Sequence, residues 1–168
     1  ENGRELFVMD YDGYDPQQVT ADGYLNLMPT WSPDRKSLIY TAYRDRKQQI
    51  MKRELATGRE EILVSPASLN ITATFAPDGQ SITYAAAQDG NSDIYQIALD
   101  SSSPKQLTSH HSADLSPSWS PDGRHLAFTS DRGGRPQIYI MDADGSNARR
   151  LTYDGDYNAA PAWSPKGD

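Results

Sequence analysis

A large aromatic side chain returns at a constant interval along this chain. Trp31, Phe75, Trp119 and Trp163 follow one another every 44 residues, and a proline stands two positions after each. Smaller sets keep the same interval: Leu6, Ile50, Ile94 and Ile138; Val19, Leu63, Leu107 and Leu151; Tyr40, Tyr84 and Phe128. A fixed period of roughly 20 to 50 residues is typical of proteins built from stacked supersecondary units. The repeat therefore constrains the architecture more than any local pattern does.

Within one repeat, short apolar runs alternate with turn sequences. In residues 109–152 the runs are SPSWS, HLAFTS, QIYIMD and RRLT, and the segments between them contain PDG, DRGGRP and ADGSN. Such runs, rich in aromatic and β-branched residues and bounded by Gly, Pro, Asp and Asn, are typical of strands joined by hairpin turns. No segment carries apolar residues at helical spacing over three turns. The sequence predicts an all-β fold, a β-propeller of four-stranded antiparallel blades with a 44-residue repeat.

The phase of the repeat predicts how the blades divide the chain, because the first 20 residues align with 133–152. The predicted divisions are the last two strands of a blade at 1–20, complete blades at 21–64, 65–108 and 109–152, and the first strand of a further blade at 153–168. All belong to one propeller domain, and we expect this partial or split-blade arrangement to be a piece of a larger propeller. An open arc exposes strand edges and apolar surface, so we also expect self-association that completes a ring.

The repeated aromatic position predicts a structural role first. A Trp or Phe on the innermost strand is large enough to fill the seam between one blade and the next. The proline and the Asp-Gly pair that follow it are typical of a tight turn into the second strand. We therefore expect Trp31, Phe75, Trp119 and Trp163 to be seam residues.

Composition and motifs argue against several functions. The formal net charge of −7 disfavours a nucleic-acid groove, which needs a basic field, and no apolar run approaches the roughly 20 residues that span a bilayer. A basic run at 44–53 is interpreted as a solvated hairpin rim. Cysteine is absent, and no nucleophile elbow, P-loop or zinc-ligand spacing occurs. DADG at 142–145 lacks the EF-hand spacing. We predict no enzyme activity, cofactor or metal ligand, although occupancy of the channel by a cation stays open.

The connections between blades are the candidate binding elements. They cover 21–29, 65–73, 109–117 and 153–161, and in a propeller they surround one mouth of the central channel. Each places a polar residue beside a second residue that is usually apolar, at matching positions of the repeat. Loops on a rigid scaffold often carry function, and this mixture suits a protein or peptide ligand. The alternative is a solvated rim with loop-filling side chains.

Residues 117–145 carry the pattern P-x-W-S-P-D-G-x-x-L-A-F-T-S-D-x-x-G-x-P-Q-I-Y-x-M-D-x-D-G, which resembles the WD40-like, or PD40, propeller repeat of the TolB family. The opening ELFVMDYDGY is similar to the start of that family's propeller. The resemblance implies a periplasmic protein of the Tol-Pal system, with an N-terminal α/β domain and a six-bladed propeller. It implies roles in outer-membrane integrity, protein transport and cell division, and a mouth that binds the peptidoglycan-associated lipoprotein Pal, a ligand that colicins mimic, with other Tol proteins as further partners.

The family's partner contacts come from the loops between blades, and the resemblance carries them over to matching positions here. The implied partner-binding residues are Asn26, Leu27, Met28, Leu69, Asn70, Ile71, Thr72, Asp114, Leu115, Ser116, Asn158, Ala159 and Ala160. Two alternatives remain. One is the propeller of a prolyl-oligopeptidase-like hydrolase, which a G-x-S-x-G sequence elsewhere in the parent protein would reveal. The other is an engineered or truncated propeller fragment.

Overall fold

The computed structural model describes residues 3–65, 70–88 and 90–164, with backbone alone at positions 70, 71 and 88. Within these ranges the chain forms fourteen strands and no helix. Accordingly, the described part holds no helix long and apolar enough to cross a membrane.

Twelve of the strands form three antiparallel four-stranded sheets, each built from consecutive strands in chain order. The first sheet contains β3 Leu25–Trp31, β4 Ser37–Arg44, β5 Lys47–Glu54 and β6 Glu60–Val64. The second contains β7 Asn70–Phe75, β8 Ser81–Gln88, β9 Asn91–Ala98 and β10 Lys105–Gln106. The third contains β11 Asp114–Trp119, β12 His125–Ser130, β13 Gln137–Asp142 and β14 Arg149–Arg150. A two-stranded sheet of β1 Phe7–Val8 and β2 Gln17–Gln18 precedes them.

A turn of the same backbone geometry joins the first and second strands of each sheet. In the third sheet the Ser120 hydroxyl donates to Asp122 Oδ1 at 2.6 Å and accepts the His125 N–H at 2.9 Å. Gly123 closes the turn with φ 70°, a left-handed conformation that glycine adopts at little cost. Arg35 occupies the corresponding position of the first sheet with φ 60°. These turns lie at one end of all three sheets, which we name the turn mouth.

The sheets pack face to face in chain order through buried apolar side chains. The seam between the first and second sheets includes Ile39, Ile50, Phe75, Ile82 and Tyr84. The seam between the second and third includes Ile94, Leu107, Leu126, Phe128 and Met141. Removing an aliphatic or aromatic side chain of this size from water contributes about 1.5–3 kcal/mol, so these seams are the main source of cohesion between sheets.

The predicted propeller architecture is confirmed: the fold is all-β, built of four-stranded antiparallel sheets, and unclosed. Residues 151–164 form no strand, although the Ala160 N–H donates to Thr129 Oγ1 at 3.0 Å and so holds this segment along the third sheet. A strand needs a hydrogen-bonded neighbour, and no strand among the described residues pairs with this segment. The blade boundaries drawn from the repeat stay a prediction.

Candidate functional site: the loop mouth

The loop mouth is the end of the sheets at which β3, β7 and β11 begin, opposite the turn mouth. Antiparallel register puts the hairpins between second and third strands at this same end, since Leu25 pairs with Tyr43 and Asp114 pairs with Ser130. The loop mouth is therefore formed by the connections that precede each inner strand and by these hairpins.

Each inner strand is interrupted at nearly the same position of the repeat, with the second interruption one residue earlier than the other two. The pairing with the second strand shifts register between Leu27 and Thr30, between Asn70 and Ala73, and between Leu115 and Ser118. A β-bulge of this kind bends a strand and redirects its side chains, and bulges are frequent next to binding sites.

Left-handed residues mark the interruption. Met28 has φ 52°, Ser116 has φ 53° and Ala160 has φ 53°; Ser116 lies two repeats after Met28, and Ala160 one repeat after Ser116. A left-handed backbone costs a non-glycine residue roughly 1–2 kcal/mol, so a repeated departure of this kind needs compensating contacts.

A threonine at one repeat position fixes the strand that ends near each loop. The Thr20 hydroxyl accepts the Leu6 N–H at 2.9 Å, and Thr108 and Thr152 accept the N–H groups of Ile94 and Ile138 at 3.0 Å each. In the second and third of these copies, the threonine also donates to the side chain just before the isoleucine, Asp93 or Gln137. These threonines were not predicted from the sequence, although they recur at one position of the repeat in three of four copies, the exception being Val64.

Two asparagines connect the loops to the strands that these threonines bind. Asn26 is 2% exposed, and its amide donates to Asp22 Oδ1 at 2.9 Å and to Glu5 Oε2 at 3.4 Å. Asn158 donates to the Asp154 carbonyl oxygen at 2.7 Å and to Gln137 Oε1 at 3.1 Å. In both loops the amide reaches back four residues and across to the preceding blade, so it shapes the loop from within.

Asp114 performs the same task by an ion pair. Its carboxylate is fully buried and accepts two hydrogen bonds from Arg132 Nη2, at 3.0 and 2.8 Å. The Arg132 guanidinium lies 5.4 Å from the centre of the Phe128 ring and 4.9 Å from that of Tyr139. The two aromatic faces stabilise the cation, and the cation compensates a carboxylate that has no contact with solvent.

The placements divide the residues that were expected to bind a partner. The side chains of Asn26 and Asp114 are buried and bind groups of the chain itself, and their part in binding a partner stays a prediction. Met28 is 48% exposed and Ala160 is exposed, whereas Leu27, Thr72, Leu115, Ser116, Asn158 and Ala159 are half-buried at the mouth. Leu69 lies outside the described residues, and for Asn70 and Ile71 only the strand position is described.

The four repeated aromatic residues differ in environment. Phe75 is buried between the first and second sheets. Trp119 packs at the next seam and donates its indole N–H to Thr83 Oγ1 of the second sheet at 3.0 Å. Trp31 is 46% exposed, and Trp163 donates its indole N–H to the Ser118 carbonyl oxygen at 3.0 Å.

Two carboxyl groups near the mouth have pKa values shifted in opposite directions. Burial raises the pKa of Asp93 above its usual range, against hydrogen bonds from Thr108 and Gln106 that lower it. Burial also acts to raise the pKa of Asp22, but hydrogen bonds from Asn26, the Tyr24 N–H and Arg44 lower it on balance. Among the described residues no three His, Cys, Asp or Glu side chains are grouped to hold a metal ion.

Comparison with known proteins gives a consistent result. Residues 1–168 match the family model described as the TolB beta propeller domain. The Tol-Pal system protein TolB of Xanthomonas oryzae pv. oryzae is 42% identical over 60 residues, which are 36% of this chain and 14% of that protein.

Solved structures agree. TolB from Acinetobacter baumannii superimposes with a TM-score of 0.85 at 35% identity, over 95% of this chain and 40% of that chain. A puromycin-hydrolyzing peptidase of Mycobacterium tuberculosis superimposes with a TM-score of 0.69 at 16% identity, over 91% of this chain and 28% of that chain, a likeness that shows the fold alone. The chain thus spans less than half of the Acinetobacter baumannii TolB chain, and its match covers a smaller share still of the Xanthomonas protein. By its sequence and by its structure, the chain belongs to the TolB beta-propeller family.

Proposed function

We propose that this chain is a protein-binding propeller of the Tol-Pal system in the periplasm, and that its loop mouth docks the peptidoglycan-associated lipoprotein. In this role it supports outer-membrane integrity and cell division without catalysing a reaction. The family membership and the names of the relatives support the system. Other Tol proteins and colicins are further proposed partners.

The observation that carries the proposal is the repeated bulge at the loop mouth. It turns Met28 and Ser116 out of the regular ladder, at a backbone cost that the sheet alone does not require. The buried side chains of Asn26 and Asp114 act as clamps: through their hydrogen bonds they hold these segments in place. A binding surface built on rigid strands loses little conformational entropy on docking, which favours affinity.

A hydrolase propeller receives no comparable support. The likeness to the peptidase extends to the fold, and the catalytic machinery of such an enzyme would belong to another domain. Protein docking is therefore the function that the loop mouth supports best.

The test uses an exposed apolar residue of the mouth. Met28→Asn removes the apolar side chain, and asparagine tolerates a left-handed backbone better than methionine, so the fold is retained. Binding of the soluble lipoprotein domain, measured by isothermal titration calorimetry, should weaken by about fivefold or more, as expected for an interface anchor.

The matched control is Ile62→Asn on the outer strand β6, where the side chain is 54% exposed and remote from the inner strands. This control should bind as the unmodified chain does. Equal affinity of all three proteins would remove the bulge from the binding site, and absence of binding by the unmodified chain would reject the proposed partner.

A further inference from the structure

The first sheet carries an exposed aromatic and basic surface at the loop mouth. We name it the first-blade patch: Tyr24, Met28, Tyr43, Arg46 and Lys47. Tyr24, Met28 and Tyr43 are 40%, 48% and 44% exposed, and Arg46 and Lys47 are exposed as well. The pairing of Leu25 with Tyr43, and of Arg44 with Lys47, places all five at one end of the sheet.

The charges of this region are only partly compensated. Of the basic run at 44–53, Arg44 pairs with Asp22 and Glu60, and Lys52 and Arg53 pair with acidic residues of β6. Arg46 and Lys47 form no ion pair within the described residues. With Asp45 between the strands, the hairpin turn carries a net charge of +1 in a chain whose formal net charge is −7.

The backbone at Arg46 is unusual for its residue type. Asp45 and Arg46 have φ 51° and 62°, and they form the two-residue connection between β4 and β5. Such a connection favours glycine at its second position. The corresponding positions of the other two sheets hold Gly90 and Gly134, with φ 86° and 92°. The first sheet therefore displays a cation where the repeat uses glycine, and it does so at the cost of backbone strain.

An aromatic side chain near this exposed charge is held in place by a cation. The Arg44 guanidinium lies 5.5 Å from the centre of the Tyr24 ring while it pairs with Asp22 and Glu60, so Tyr24 is held against a fixed cation. Tyrosine and arginine are the residue types enriched in interface hot spots, because they combine apolar area with directed polar contacts.

We propose that the first-blade patch receives an acidic segment of the protein that docks at the loop mouth, a segment that also carries an apolar side chain. The partner's carboxylates contact Arg46 and Lys47, and its apolar side chain covers Tyr24, Tyr43 and Met28. This inference rests on the proposed function for its partner, and on charge complementarity for the chemistry of the segment.

The chain supplies a matched control for a charge-reversal experiment. Arg35 and Lys36 form a second Arg-Lys pair in a turn of the same sheet, and Arg35 also has a left-handed φ of 60° where the other sheets have Gly79 and Gly123. This pair lies at the turn mouth. Arg46→Glu with Lys47→Glu and Arg35→Glu with Lys36→Glu therefore change net charge equally, at opposite ends of one sheet.

Association with the soluble lipoprotein domain is measured by stopped-flow fluorescence at low and high salt. At low salt the change at Arg46 and Lys47 should slow association about tenfold, and the change at Arg35 and Lys36 less than about twofold. The difference should shrink in about 0.5 M salt, where charges are screened beyond a few ångströms. Equal rates for the two variants, or unchanged rates for the first, would overturn the inference.

A second probe separates this inference from the proposed function. A fluorescein-labelled peptide of alternating Glu and Leu should bind the unmodified chain more tightly than a peptide of alternating Lys and Leu, and the change at Arg46 and Lys47 should abolish the preference. Peptide preference without lipoprotein binding would reject the proposed partner and retain the patch. The patch would be rejected if the unmodified chain showed no preference between the peptides. It would also be rejected if both double variants kept the preference.

Arg46→Gly guards against a folding artefact. Glycine relieves the left-handed strain, so this variant should unfold at a temperature about 3 °C higher and still bind the Glu-Leu peptide more weakly. Undiminished peptide binding by this stabilised variant would contradict the role of Arg46.

Discussion

At the scale of single residues, the polar side chains of the loop mouth bind other groups of the same chain. Asp114 is held by two hydrogen bonds from Arg132, and Asn26 and Asn158 bind acceptors within their loops and on the preceding blade. Their repeat spacing reflects a shared structural task. The surface left for a partner is set by the neighbouring residues that these clamps orient.

Asp114→Ala tests the strength of one clamp. The change leaves the Arg132 guanidinium without its carboxylate partner in a largely buried site, so the free energy of unfolding should fall by about 3 kcal/mol. Urea denaturation measures the loss. Asp156→Ala, which removes an exposed carboxylate paired with Arg135, should leave stability unchanged. A similar small effect of both changes would show that the buried ion pair does not hold the loop.

At the scale of strands, one carboxylate of the outer strand β6 binds three side chains of the neighbouring strands. Glu60 accepts hydrogen bonds from the Tyr40 hydroxyl at 2.6 Å, from Arg53 Nη1 at 2.9 Å and from Arg44 Nη2 at 3.1 Å. Burial acts to raise the pKa of Glu60, but these donors together lower it below its ordinary value. The ionised form is therefore favoured by folding.

The sign of this shift predicts a pH dependence. Because the pKa of Glu60 is lower in the folded chain, its stabilisation is present above the ordinary value of 4.5 and is lost as pH falls through the folded pKa. Glu60→Gln should lower the free energy of unfolding by about 1–2 kcal/mol at pH 7, and the gap should narrow in acid below pH 4.5.

The neighbouring Glu61→Gln is the control for this prediction, since Glu61 has a single partner in Lys52. At pH 7, Glu61→Gln should lower the free energy of unfolding by less than Glu60→Gln does. A gap for Glu60→Gln that stays constant from pH 7 into acid would contradict the assignment of the stabilisation to the ionised carboxylate.

The bulges show where prediction from sequence ends at this scale. Strand order and the four-strand unit follow from the 44-residue spacing, because apolar columns and turn residues recur together. The left-handed residues of the inner strands are methionine and serine, neither of which is typical of that conformation. Asn26 and Asp114 were expected to contact a partner because they stand in loops, and their burial depends on tertiary contacts to Glu5 and Arg132.

At the scale of the whole molecule, the seams between sheets govern stability, and the ends of the arc are left uncovered. Phe7 is 58% exposed at one end and Leu151 is 51% exposed at the other, whereas Leu107, which matches Leu151 in the repeat, is buried in a seam. Self-association through these ends stays a prediction, and light scattering over a concentration series measures it.

Trp119→Phe tests a seam directly. Phenylalanine retains the ring at this position, as in the preceding repeat, but leaves the fully buried Thr83 hydroxyl without the indole donor. The free energy of unfolding should fall by about 1–2 kcal/mol. Trp31→Phe alters a half-exposed ring outside any complete seam and should change stability by less than about 0.5 kcal/mol. If Trp119→Phe and Trp31→Phe lowered the free energy of unfolding equally, the indole bond of Trp119 would not stabilise its seam as described.

The central claim is that the loop mouth, and not the turn mouth, docks a protein partner. Hydrogen–deuterium exchange of the chain with and without the soluble lipoprotein domain measures this most directly. We predict added protection at residues 20–28, 109–116 and 153–160, and unchanged exchange in the turns at 32–36, 76–80 and 120–124. Protection confined to the turns, or no protection in any of these segments, would contradict the account.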